Sequence, residues 1–117
     1  MLATLPSAPS MAEKLAASAF ALFAESGING VNLDEVAAHA GVTKGSVYHH
    51  FESKKDVILA ACDHYYSSWT FRIREEMALL SDPLDQLEAV LSFSVRSCVA
   101  DRKNRVFTAE IFALSLK

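Results

Sequence analysis

The sequence predicts an all-α fold: a three-helix helix-turn-helix unit, then a long fourth helix and a partial helical bundle. Three observations carry this. No segment of the 117 residues alternates apolar and polar side chains as a half-buried strand does. Apolar residues instead recur at helical spacing from Met11 to Leu114. Residues that start and stop helices bracket those stretches, Ser10 with Gly27 and then Asn32 with Gly41.

The first helix is expected from about Ser10 to Ser26. Ser10 and Glu13 have capping-box spacing, each side chain closing an orphan amide. Met11, Leu15, Ala19, Leu22 and Phe23 make one apolar stripe, and Gly27 suits a left-handed stop. The second helix is expected from Leu33 to Ala40, capped by Asn32 with Glu35. Leu33, Val36, Ala37 and Ala40 face inward, Gly41 ends the helix, and Val42 plugs the turn. The third helix, from Lys44 to about His50 or Phe51, is capped by Thr43 and turns Val47 and Phe51 to the core.

The fourth helix opens at Ser53 and reaches about Leu80, with Val57, Ile58, Ala61, Tyr65, Trp69, Ile73, Met77 and Leu80 in period. Asp82 and Pro83 have N-cap and first-turn character and start a fifth helix. Leu84, Leu87, Leu91, Val95 and Cys98 are its expected inward face. A polar break from Asp101 to Arg105 then leads to a last helix with Val106, Phe107, Ile111, Phe112 and Leu114.

Composition sets bounds on what such a chain does. With 51% apolar residues it can close one compact domain, or a small domain and part of another. The net charge of −3 argues against indiscriminate nucleic-acid binding. Residues 1–72 are no better, with five basic residues against seven acidic ones, a net −2. Binding to DNA therefore depends on where the few cations stand. Cys62 and Cys98 lie in apolar helical patterns and read as buried free thiols in a reducing cytoplasm. No apolar run is long enough to cross a membrane. Residues 1–10, with Pro6 and Pro9, read as a disordered tail rather than a secretory signal, and Met11 is a second candidate start.

The segment that carries chemistry is NLDEVAAHAGVTKGSVYHHFESKK, residues 32–55. Two short helices meet there across a three-residue turn. Ala37, Ala38, Ala40 and Gly41 are small enough for them to cross at a wide angle, which is how a helix-turn-helix presents its second helix to the major groove. Gly45 weakens the third helix by roughly 1 kcal/mol relative to alanine. Close approach of a DNA backbone would account for it. Thr43, Lys44, Ser46, Tyr48 and His49 carry donors for phosphates or base edges. Lys54 and Lys55 open the fourth helix, whose N-terminus already favours an anion.

These residues resemble a known family. AGVTKGSVYHHFESKKDV is similar to the helix 3 and helix 4 signature of TetR-family transcriptional regulators, and FAESGINGVNLDEVAAHAGV to the preceding helices. The resemblance covers about Ala12 to Tyr66. It implies a DNA-binding domain over residues 11–56 and a partial helical effector-binding and dimerisation domain over residues 57–117. It implies that Thr43, Lys44, Gly45 and Ser46 form the DNA-facing end of the recognition helix, that Tyr48 and His49 reach phosphates or nearby bases, and that Lys54 grips a phosphate. Trp69, Met77, Phe93, Phe107 and Phe112 are the residues it implies for an effector pocket, with plain core packing as the alternative for each.

Two departures stand beside it. Asp34 occupies a place on the second helix where a basic residue is common in the family, and it would repel a phosphate. The chain also stops before the further helices of the family, so it reads as a truncated piece or a short member. His39, His49, His50 and His64 match no zinc spacing, and no nucleophile elbow, phosphate loop or paired carboxylates are visible. The expectation is a cytoplasmic regulator that is not an enzyme and needs no cofactor or metal. It would be a homodimeric repressor at full length, bound to double-stranded operator DNA and released by a small hydrophobic effector. The alternative is an interaction module that captures a full-length relative as a mixed dimer.

Overall fold

The structure is a computed structural model and describes residues 9–116. Among them are six α-helices and no strand. The expected tail falls mostly on residues 1–8, which lie outside the described residues.

Helix α1 is Met11–Ser26. The Glu13 amide donates to Ser10 Oγ at 3.2 Å, and the Ser10 amide to Glu13 Oε2 at 3.1 Å, closing the capping box. Leu15, Ala19 and Phe23 have no exposed surface. At the far end Gly27 departs from the expected stop. Its φ is 81° but its ψ is 158°, outside the left-handed helical well and in a region open essentially to glycine alone. The chain is extended at Gly27 and then turns over residues 28–31, where the Val31 amide donates to Ile28 O.

Helix α2, Leu33–Ala40, starts on a second capping box, Asn32 with Glu35. It ends as expected, with Gly41 left-handed at φ 74° and ψ 30°. The Gly41 amide donates to Ala38 O and the Val42 amide to Ala37 O, which is the pairing of a Schellman stop. Val42 packs against the core and helix α3, Lys44–His50, begins two residues later. Val47 is wholly buried on α3 and Phe51 almost so.

Helix α4, Lys54–Ala78, is the longest element, with 25 residues. Ser53 caps it, its Oγ accepting the Asp56 amide. Helices α5, Pro83–Ala100, and α6, Arg102–Ser115, follow. Helix α1 lies against α2, α4 and α6. The core comes from these four helices and α3: Leu15, Phe23, Val36, Val47, Val57 and Phe107 are each fully buried. The Phe107 ring of α6 meets Phe20 of α1 at 4.8 Å and Tyr65 of α4 at 5.5 Å, tilted against both.

Three expectations about the second half need correction. The stripe of Leu84, Leu87, Leu91, Val95 and Cys98 does not face inward. These leucines and Val95 are 55–75% exposed and Cys98 is exposed. The neighbour available to α5 is reached by a different face, on which Phe93 is 5% exposed and meets the Trp69 ring at 5.8 Å. An amphipathic period identifies an apolar face but not the element that covers it. The polar break before α6 is a single residue, because Asp101 is the C-cap of α5 and the N-cap of α6 at once. Arg105, expected in that break, sits within α6 and donates to the carbonyls of Cys98 at 2.6 Å and Val99 at 2.7 Å, closing the end of α5. Finally, Cys62 is half-buried rather than buried.

Candidate nucleic-acid interface

The helical hairpin α2–α3 sets one end of α3 outward. Its Schellman stop fixes how the chain turns, and Val42 and Val47 anchor both sides of the turn. Thr43 then caps α3, its Oγ1 accepting the Ser46 amide at 3.3 Å. The Thr43 hydroxyl is thus held at the helix end, and its hydrogen is left to serve an outside acceptor.

Of the expected contact residues, Thr43, Lys44, Gly45, Tyr48 and His49 are exposed. Ser46 and Lys54 are half-buried. Tyr48 and Lys54 share an open recess with the N-terminal end of α2, bounded also by Asn32, Glu35 and Ser53. One face therefore gathers a phenol, an ammonium and the N-terminus of α4, a set suited to phosphate oxygens. Gly45 has helical φ, and a Cβ built there would come no closer than 3.9 Å to Thr43 Oγ1. Nothing inside the fold requires a glycine at that position.

Lys44 has a partner that the sequence pattern did not reveal. Its Nζ stands 3.3 Å from Asp34 Oδ1 on α2 and 6.0 Å from the centre of the Tyr48 ring. Residues ten apart on two different helices obey no period, so only the crossing of α2 and α3 brings them together. Asp34 was expected to oppose a phosphate, and here it also occupies the nearest cation.

The five expected effector residues do not converge on one cavity. Phe107 and Phe112 border a cleft of about 340 Å³ between α4 and α6, together with Cys62, Tyr65, Thr108 and Ile111. Trp69 borders a separate recess with His64, Arg72 and Asn104. Phe93 is buried between α4 and α5, with the Arg72 guanidinium 5.3 Å from its ring centre, and Met77 is half-buried further along α4. Phe112 is 66% exposed. Burial, and secondarily the Asp63 carboxylate, push the Cys62 thiol above its ordinary range. Among the described residues no three His, Cys, Asp or Glu side chains gather as metal ligands would, and no helix is long and apolar enough to cross a membrane.

One further residue escaped the sequence reading. Glu110 of α6 reaches the loop after α1, where its Oε1 accepts the Ile28 amide at 2.5 Å. A lone glutamate on an amphipathic helix carries no local signal for such a contact.

Comparison with known proteins places these features. Residues 15–61 match the family model described as bacterial regulatory proteins, tetR family. The chain is 30% identical over 95 residues to the HTH-type transcriptional regulator AcrR of Shigella flexneri, an alignment covering 80% of this chain and 44% of that protein. It is 32% identical over 77 residues to the HTH-type transcriptional repressor KstR2 of Mycobacterium tuberculosis, covering 65% of this chain and 38% of that one. The chain thus spans less than half the length of these two relatives. The fold is shared with the fatty acid degradation regulator FadR of Bacillus halodurans, at a TM-score of 0.77 and 23% identity over 95% of this chain and 59% of that structure.

Proposed function

Because the chain belongs to the tetR family of bacterial regulatory proteins, through residues 15–61, we propose that it is a sequence-specific DNA-binding repressor of transcription. One observation carries the reading. The exposed end of α3 pairs a row of polar side chains with Gly45, a glycine that the fold itself does not need. A residue that weakens its helix and fills no crowded space is explained by something that approaches from outside.

In this reading Thr43, Ser46 and His49 meet base edges in the major groove, and Lys44, Tyr48 and Lys54 hold flanking phosphates. The protein acts as a homodimer, one recognition helix per half-site, with half-sites about one helical turn apart. The cleft between α4 and α6 receives a small hydrophobic effector. Its walls are largely aromatic and aliphatic, and Tyr65, Tyr66, Thr108 and Ser115 bring polar atoms that orient a ligand. The effector lowers DNA affinity only as far as it binds the released form more tightly.

The test is fluorescence anisotropy of the purified chain on duplexes flanking its own coding region, at two salt concentrations. Tight, salt-sensitive binding to one duplex over scrambled DNA is expected. Equal binding to all duplexes would remove sequence-specific regulation from the reading.

A second reading is favoured by the open apolar face of α5, where Leu84, Leu87, Leu91 and Val95 are exposed. In it the chain pairs with a full-length relative as an inactive mixed dimer. Sedimentation separates the two, since a stable homodimer of the pure chain removes the need for a relative.

A further inference from the structure

Asp34 stands in the first turn of α2 but its side chain makes no hydrogen bond there. The capping box of α2 is made by Asn32 and Glu35, and the carboxylate of Asp34 points instead to Lys44 across the α2–α3 crossing. Both side chains are 61% exposed, so the pair stands in water at the surface that faces DNA in the reading above. A carboxylate 3.3 Å from an ammonium presents the same charge and the same acceptor oxygens that a phosphate would.

We propose that Asp34 is a built-in stand-in for a DNA phosphate, which holds Lys44 in the free protein and is exchanged for the backbone when DNA binds. The inference rests on the proposed function. Three features of the chain make the exchange consequential. Cations are scarce, with residues 1–72 at a net −2, so occupying one removes a sizeable part of the local positive charge. Among the described residues Lys54 makes no ion pair within 4.0 Å, so the competition falls on Lys44 alone of the two expected clamps. The pair is also exposed, and an exposed ion pair is weak enough to be exchanged without unfolding anything. Asp34 thereby sets the affinity of the reading head below what its own cations would give.

The inference predicts that D34N binds duplex DNA more tightly, by about two- to fivefold per reading head, as expected for release of one exposed ion pair. The slope of log affinity against log salt should stay close to the parent's, because Lys44 meets one phosphate in the complex of either chain. Simple repulsion between Asp34 and DNA would also tighten binding, so the decisive measurement is a double-mutant cycle with K44Q. Exchange requires that the D34N gain shrink towards nothing in the K44Q background. Repulsion alone would leave the gain as large or larger there, because the carboxylate would then be unpaired.

Anisotropy of all four chains on one flanking duplex and one scrambled duplex reads every arm. A gain in the parent chain that K44Q abolishes supports the exchange. Binding by the parent and D34N with equal affinity, or an equal gain in both backgrounds, overturns it while leaving the proposed function standing. Absence of binding by all four chains on either duplex at low salt overturns the proposed function and this inference together.

Discussion

Glu110 of α6 accepts the backbone amide of Ile28, 82 residues earlier in the chain, and so ties the second half of the molecule to the loop between α1 and α2. The contact is part-buried, and a hydrogen bond to a charged acceptor there contributes more than one in open water. Substituting Glu110→Ala should cost about 1–3 kcal/mol, because the Ile28 amide loses its partner. Glu110→Gln keeps an acceptor oxygen and should lose about half of that or less. Urea denaturation of the two variants checks the order, and an equal loss in both would assign the effect to side-chain packing.

Gly27 and Gly45 should respond oppositely to alanine. At Gly27 the backbone has φ 81°, and a Cβ would stand 2.6 Å from Glu110 Oε1. Gly27→Ala should therefore destabilise by more than about 1 kcal/mol, through strain and loss of the Glu110 contact. At Gly45 there is room, so Gly45→Ala should raise stability by up to about 1 kcal/mol while weakening DNA binding. Thermal melts and anisotropy on the same samples decide it. A Gly45→Ala chain that is more stable and binds DNA as before would remove close backbone approach as the reason for that glycine.

Lys54→Ala should weaken binding to every duplex alike and lower the salt slope by about 0.9 per head. Lys54 stands beside Tyr48 at the start of α4, where a phosphate is favoured by both charge and helix end. A loss confined to the flanking duplex would instead make it a base-reading residue.

The two faces of α5 give a sharp contrast. Phe93→Ala removes a ring held between Trp69 and Arg72 and should cost about 3–5 kcal/mol. Leu87→Ser, on the open face, should change stability by about 0.5 kcal/mol or less. A large loss at Leu87 in the isolated chain would mean that this face is already covered in solution, and sedimentation of the same sample would reveal by what.

Alkylation should separate the two thiols. Burial raises the Cys62 pKa, so at a given pH less of it is thiolate, and its rate should keep climbing as pH rises above the ordinary thiol range. Cys98 is exposed and should be modified first. Mass spectrometry after timed exposure to iodoacetamide reads both sites, and faster modification at Cys62 would contradict its burial.

The N-terminal half was readable because its signals are local. Ser10 with Glu13, Asn32 with Glu35, Gly41 and Thr43 each act within four residues, and all were found where the caps and stops were expected. The α4–α6 half was less readable, because its outcome depends on which neighbour is present. The apolar face of α5 was visible in the sequence, yet its exposure depends on elements far along the chain. The same limit hid both the Asp34–Lys44 pair and the Glu110–Ile28 bond, each joining residues of different elements. Gly27 was recognised as a stop, but its ψ follows from the route to Ile28 and not from the glycine itself.

Asp101 closes one helix with its amide, which donates to Ser97 O, and opens the next with its carboxylate, which accepts the Lys103 amide. A protease must draw several residues into an extended strand before it can cut. A joint of one residue, engaged on both sides and clamped by Arg105, offers no slack to draw. Digestion under native conditions should therefore spare the bend at Asp101 and release α5 and α6 as one uncut piece.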